Sequence, residues 1–544
     1  MPGGLLNIIS LGNANVFLTG NPSKTFFNVT YSKYTNFGLQ KIRTDYDGLR
    51  ELRLTTDSVF TFKIKRYAEL LMDTYIVVTL PDIWSPAYNP SPELTNNIWT
   101  SYDFKWIQNL GTRMIRSIEI TCGSLLIQRY SGEYLTALVE RDFTYEKKDI
   151  YNKMTGNVPE LNNPAYAYSR VNTYPSAYYN VNGAEPSIRG RTLYIPINTW
   201  FTLNSNCAFP LIALQYNELV ITVIMRPVQE LFQIRDIFNP NQSFPYIQPD
   251  FNSEQNRFYR FLQTPPTTDI SIGKNAYQNL TTSWNADIHL ISTYCFLSKE
   301  EAIQFASQDQ VYLIKDVFQY DFNNIVGSTK VNLTSNGMIS NWMFFLQRND
   351  VNMRNEWSNY TNWPYSNTVP SDILVPYNIP EVQLNPDDGG SSGIYITGKY
   401  APENQKEILI SMAILYDGDY RENVLLNGIY NYVEKYMRSN GSASEGLYCY
   451  NYCINTSPFD YQPSGAINLS KFRTVELEIT VYLPPIDPQG SSFNVICAQD
   501  GTLLGVSNKP AWKLYNYTYN LTVMEERYNI LSFVSGNCGM SYSR

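Results

Sequence analysis

One histidine in 544 residues, His289, removes whole classes of chemistry from consideration. H-E-x-x-H metal binding and any site built on two imidazoles need a second one. His289 sits in the alternating stretch Ala286-Asp287-Ile288-His289-Leu290, the pattern of a strand, where a surface or hydrogen-bonded structural histidine is expected. No Walker A string and no G-x-G-x-x-G is present, so neither phosphate-cradling loop is available. Seven cysteines, Cys122, Cys207, Cys295, Cys449, Cys453, Cys497 and Cys538, are scattered without a C-x-x-C or a neighbouring histidine. They read as free thiols of a reducing compartment rather than a zinc site or a disulfide framework. No apolar run approaches the length needed to span a bilayer. The first basic residue is Lys24, which argues against a secretory leader and for assembly in the cytoplasm. Charged residues are only 17% of the chain and sum to -8, so an electrostatic grip on nucleic acid is not expected. No catalytic, cofactor-binding or metal-binding residue is assigned, and an enzyme is the least favoured class.

What is abundant is aromatic: 44 Tyr, 26 Phe and 9 Trp. Aromatic and β-branched side chains pack well on a pleated surface, and interfaces concentrate Tyr and Trp. Period-two alternation recurs along the chain. Phe60, Phe62 and Ile64 alternate with polar residues, as do Val475, Leu477, Ile479, Val481 and Leu483. Trp342, Phe344 and Leu346, and then Ile408, Ile410, Met412 and Ile414, repeat the pattern. Leu219 to Met225 is apolar on both faces, as for a strand covered on two sides. Many short strands punctuated by Gly, Pro and Asn predict an all-β protein of sandwiches or barrels. Helical signals are few and lie between strands: Ser131 to Phe143, Asn427 to Met437, and a capping box at Ser298-Lys299-Glu300-Glu301 backed by Ala302, Phe305 and Ala306. The chain is long enough for two domains. Prolines at 227, 240, 245, 249, 265 and 266 place the boundary between Arg226 and Trp284. The expected map is an N-terminal arm over 1–25, a first domain over 26–226, an inter-domain linker over 227–284 and a second domain over 285–544.

Three separated strings carry more than local structure. Leu18 to Phe37, LTGNPSKTFFNVTYSKYTNF, is a Gly-Asn-Pro turn entering a half-buried strand. Pro210 to Glu218 reads PLIALQYNE, and Gln462 to Ser470 reads QPSGAINLS. In this order they resemble the signature blocks of the major capsid proteins of nucleocytoplasmic large double-stranded DNA viruses. The resemblance implies two consecutive eight-stranded jelly rolls, a double jelly roll, with a few short helices in loops. It implies a homotrimer that forms a pseudo-hexagonal capsomer and tiles the icosahedral shell of the virion. Neighbouring capsomers, minor capsid and penton proteins, and the inner virion membrane at the N-terminal base are the implied partners. A scaffold of the same fold that shapes the membrane during assembly is the alternative in the structural class. A carbohydrate-binding β-sandwich is the alternative outside it, although no acidic metal site or aromatic platform stands out.

Two further patterns are weighed against this frame. Gly389-Gly390-Ser391-Ser392-Gly393 matches G-x-S-x-G, but it leads into the strand-like Ile394-Tyr395-Ile396 where a nucleophile elbow needs a helix. Ten Asn-x-Ser/Thr triplets begin at residues from Asn28 to Asn520, among them Asn359. Some relatives carry glycans at atypical sites, so the resemblance leaves glycan as a partner without a placed position. The stretch Asn349 to Tyr400, dense in Asn, Ser, Pro and Gly between two strands, predicts an outward-facing surface loop.

Overall fold

The computed structural model describes residues 34–88, 100–177, 183–236, 245–265, 277–368, 405–484 and 512–542, isolated positions excepted, and two short strands within 494–507. The expected alternation is realised strand by strand. Strand β2, Ser58–Ile64, buries every second residue, with Phe60, Phe62 and Ile64 inward. Around it the chain lays down β1 Phe37–Asp45, β3 Leu70–Thr79, β4 Ile115–Cys122, β5 Leu125–Ser131, β6 Thr192–Pro196, β7 Leu219–Met225 and β8 His289–Leu297. These form two antiparallel sheets in the orders β1-β8-β3-β6 and β2-β7-β4-β5. Their inner faces share one core that includes Phe60, Phe62, Leu71, Ile76, Ile118, Ile120, Ile221 and Leu290. That interleaved order is a jelly roll.

Eight more strands repeat it: β9 Gln310–Ile325, β10 Ser328–Leu333, β11 Met338–Arg348, β12 Leu409–Tyr416, β13 Asp419–Leu426, β14 Leu447–Asn451, β15 Val475–Val481 and β16 Tyr519–Val534. The sheets run β9-β16-β11-β14 and β10-β15-β12-β13, so adding eight to each strand of the first unit gives the second. Both units also carry their helix at the same place, after the fifth strand. In the first, α1 Gly132–Asp142 and α2 Tyr145–Thr155 follow β5. Between the units, α3 Lys299–Ser307 is capped by Ser298, whose hydroxyl accepts from the Glu301 amide, as the capping box predicts. In the second unit a widened turn, Ile429–Val433, leads into α4 Glu434–Arg438 after β13.

The expected domain map needs correction in one respect. Strand β8 lies beyond residue 285, yet it pairs with β1 and β3 as the second strand of the first sheet. The segment 227–284 therefore connects two strands of the first jelly roll and does not link two domains. Nor is it merely extended. Phe232–Arg235 pairs with Phe104–Trp106, and the Phe104 and Phe232 rings stack 4.4 Å apart. Phe258, Phe261 and Trp284 join the same aromatic cluster. Proline marks an irregular backbone equally well in a linker and in a long loop that wraps its own domain; only long-range strand pairing tells them apart. The N-terminal arm, 1–25, lies outside the described residues, Leu5 excepted; beyond it, Thr35 donates to Glu301 of α3 at 2.7 Å.

A fragment of residues 1–226 lacks β8, so its first sheet is split between β1 and β3. We expect it to show no cooperative thermal transition by circular dichroism, whereas the full-length chain unfolds cooperatively. Cooperative unfolding of 1–226 would overturn the assignment of β8.

Candidate functional site: the seam between the two jelly rolls

Strand β11 explains why the two units are inseparable. Trp342, Phe344 and Leu346 point into the second unit's own core, as the sequence alternation predicts. The residues between them, Met343 and Phe345, are equally buried but belong to the core of the first unit, together with Leu447, Cys449 and Met524. The sheet β9-β16-β11-β14 is thus apolar on both faces, and the first jelly roll covers its outer one. Each such side chain contributes about 1.5–3 kcal/mol when taken out of water.

Helix α1 is the element that covers it. Ser131 caps its start by accepting from the Tyr134 amide, and Glu133 in the first turn suits the helix dipole. A Cβ on Gly132 would overlap the carbonyl oxygens of Thr112 and Ile115, so only glycine lets the helix begin this close to the preceding strands. At its other end Arg141, wholly buried, reaches across the seam. Its guanidinium donates to Asn341 Oδ1 at 2.7 Å, to Glu526 Oε1 at 3.0 Å and to Asp142 Oδ2 at 2.6 Å. Tyr134 and Asn341 also donate to Glu526, at 2.9 and 2.8 Å, and Lys315 Nζ lies 3.7 Å from it. Thr456 of the second unit donates to Asp142. Two carboxylates therefore face two cations in a buried cluster. Burial pushes Glu526 up, but Arg141 and Lys315 more than reverse this and hold it at about 2. For Asp142 burial outweighs the same arginine, and its carboxyl is raised.

A second clamp comes from a segment expected to face outward. Residues 349–368 open the predicted surface loop, yet Val351, Arg354, Asn355, Asn359, Tyr360, Asn362 and Tyr365 are buried. Asn355 donates to the carbonyls of Gln229 and Phe232 at 2.7 and 2.8 Å, and Trp357 Nε1 to that of Glu230 at 3.0 Å. Arg354 donates to the Pro364 carbonyl at 2.8 Å and to Asp350 at 2.9 Å. Burial raises Asp350, yet Arg354 and Arg348 hold it well below the ordinary range. Asn and Ser satisfy backbone groups of the other jelly roll here, so polarity of composition misreads a buried interface as a solvated loop. The remainder of that loop, including the G-x-S-x-G string, lies outside the described residues.

The second and third signature strings reach the same seam, and the first lies outside the described residues apart from 34–37. Asn455 to Ser464 bends back on itself through Ser464 Oγ, which donates to the Asn455 carbonyl at 2.8 Å, while Asn204 of the first unit donates to the Phe459 carbonyl at 2.9 Å. Asn468 caps the turn Leu469–Lys471. Asn204, Asn455 and Ser464, with Lys315, Glu526 and Trp200, line a cavity of about 80 Å³, room for a few waters and too little for a metabolite. His289 is buried on β8, its Nδ1 2.5 Å from the Asp287 carbonyl oxygen. Among the described residues no group of His, Cys, Asp and Glu gathers as metal ligands. Asn359 heads a glycosylation triplet, but its side chain is buried and donates to the Trp363 and Pro364 carbonyls.

Among the described residues the seam has an unfilled counterpart. The helical segment 429–438 stands where α1 stands in the first unit. It turns Tyr432, Val433, Tyr436 and Met437 to solvent at 51, 45, 87 and 60% exposure, on one face. The first sheet, β1-β8-β3-β6, corresponds to the sheet that α1 covers. On its outer face Phe37, Leu39 and Tyr194 are exposed. Tyr75 and Pro196 pair there beside a cavity of about 380 Å³, walled also by Phe143, Ile150 and Phe459. Composition suggested interfaces in general; only the repeated topology shows which faces correspond.

Comparison with known proteins bears on the same architecture. The family described as major capsid protein N-terminus matches residues 25–258, and that described as large eukaryotic DNA virus major capsid protein matches 301–539. The chain is 22% identical to the major capsid protein of Phaeocystis pouchetii virus over the whole of both. It is 29% identical to that of Chrysochromulina ericina virus over 62% of this chain and 56% of the other, so that match spans just over half of the relative. The solved Faustovirus major capsid protein superposes with a TM-score of 0.59 at 12% identity, covering 98% of this chain and 99% of that one, and shares the double jelly-roll fold.

Arg141→Ala should lower unfolding stability by about 3–5 kcal/mol, because it strands Glu526 and Asp142 in a buried seam; equilibrium denaturation checks this. Glu526 has a folded-state value below its unfolded one, so its stabilisation is present above about 4.5 and is lost as pH falls towards about 2. Melting temperature should drop across that window, and Glu526→Gln should flatten the dependence.

Proposed function

This chain belongs to the family of large eukaryotic DNA virus major capsid proteins, with a structural role in a viral capsid, and from that premise we propose that it works as a homotrimeric, pseudo-hexagonal capsomer. The observation that carries the proposal is the unfilled counterpart of the seam. Within one chain α1 of the first jelly roll seats on the outer face of the second unit's β9-β16-β11-β14 sheet. Repeating that contact between chains brings the exposed stripe Tyr432, Val433, Tyr436 and Met437 onto the outer face of the next copy's first sheet. The interface is head-to-tail, and such interfaces either close into rings or run on as filaments. With two similar wedges per chain, three chains close a ring of six wedges whose true symmetry is threefold. Tyr436 and Met437 match in size and character the notch beside Tyr75, Phe143, Ile150 and Phe459.

The role asks for rigidity and complementary faces, and no reaction step is assigned to the chain. Trimers so built then meet neighbouring trimers, minor capsid and penton proteins, and at their base the inner virion membrane, with assembly in the host cytoplasm. Light scattering after size exclusion in reducing buffer should give about three times the chain mass of 62.6 kDa. The double substitution Tyr436→Glu, Met437→Glu should yield monomers of unchanged melting temperature, since both side chains are solvent-exposed in the isolated chain. A wild-type monomer at micromolar concentration would sink the proposal; a trimer that survives the double substitution would move the interface elsewhere.

A further inference from the structure

We propose that Cys122 and Cys538 are a disulfide-forming pair that ties the C-terminal hairpin of the second jelly roll to the first. Cys122 ends β4 and is buried, while Cys538 lies half-buried in Asn537–Met540, the short strand that folds back on β16. The tip of that hairpin is docked on the first unit. The Gln215 and Tyr216 amides both donate to the Gly536 carbonyl, at 3.0 and 3.4 Å, and Asn217 donates to Asn537 Oδ1 at 3.2 Å. A Cβ on Gly536 would come within 2.9 Å of Gln215, which is how closely the hairpin fits. Cys538 packs against the hydrophobic core that contains Cys122. The two thiols hydrogen-bond each other across this contact.

The pair divides the work of thiol–disulfide exchange. The Cys538 S–H favours the Cys122 thiolate, against burial, and the Arg66 guanidinium adds to it; Arg66 is held in place by donating to the Asn217 carbonyl at 2.8 Å. Cys538, pushed up by the same hydrogen bond, is the more accessible of the two. A low-molecular-weight disulfide is the oxidant. The Cys538 sulfur attacks it while its proton passes through the hydrogen-bonded Cys122 to the small thiolate that leaves with the released electron pair. The Cys122 thiolate then attacks the Cys538 sulfur of the mixed disulfide and expels the second small thiol. Two protein thiols are oxidised and one external disulfide is reduced. By contrast, Cys207, Cys295, Cys449 and Cys453 are all raised by burial. A bridge closing a loop of about 400 residues constrains the unfolded chain strongly. The bond stays reduced inside the cell and forms in an oxidising exterior. This goes beyond the capsid role and holds for a single chain.

Full-length protein equilibrated with oxidised glutathione at mildly alkaline pH, alkylated, and digested without reduction gives the test by mass spectrometry. A linked peptide pair containing Cys122 and Cys538, two hydrogens lighter than the free pair, is expected, with a melting temperature that rises and returns on adding dithiothreitol. In Cys122→Ser the glutathione adduct should persist on Cys538. Wild-type protein that keeps both thiols free, holds a lasting adduct on Cys538, or links either residue to another cysteine would overturn the pairing.

Discussion

The β9-β16-β11-β14 sheet has no face to give to water, and that constraint organises the molecule. One face is the core of its own jelly roll, through Trp342, Phe344 and Leu346; the other presents Met343, Phe345 and Met524. A sheet of this kind is stable only when something else covers its outer face. The first jelly roll does so through α1, which is why one hydrophobic core runs from Phe60 through to Phe533. The two repeats are thereby a single body in which a wedge cannot swing against its neighbour.

The charges at the seam turn apolar adhesion into one geometry. A greasy contact tolerates sliding, whereas Arg141 with Asn341, Glu526 and Asp142 fits one register only. Arginine suits the task because its planar fork serves several acceptors at once. The cluster is costly to bury, and replacing it whole with hydrocarbon could leave stability unchanged or higher. Its value lies in fixing the angle between the two jelly rolls, whose elements the arginine joins. The buried loop 351–365 serves the same end from the other side, with Asn355 and Trp357 reading backbone carbonyls of the first unit.

Duplication supplies an economy of design. The helix after the first unit's fifth strand and the outer face of the β9-β16-β11-β14 sheet form a complementary pair inside the chain. Among the described residues the corresponding helix stripe of the second unit is exposed. The exposed Tyr432, Val433, Tyr436 and Met437 are intelligible as the half of a repeated contact that has no partner among the described residues.

Much of this was legible in the residues. Period two in Phe60-Phe62-Ile64 and Val475-Leu477-Ile479 set strand and facing, because alternation across a strand is a local property of the backbone. The capping box at Ser298 and the helix after Ser131 were equally local, and the separated signature strings pointed to the family. What depended on partners distant in the chain was not legible. Strand β8 reads alike whether it joins the first sheet or opens the second unit, since its partners β1 and β3 lie more than two hundred residues away. Asn355 and Arg354 read as loop polarity because their acceptors come from another jelly roll and from a distant turn. The second buried face of β11 was written in Met343 and Phe345, but which body covers it is a property of the assembled chain. Sequence alone determined the strands, the sandwich class and the family; tertiary structure decided which strands pair, where the first unit ends and which polar residues are buried, because those depend on contacts that local periodicity does not encode.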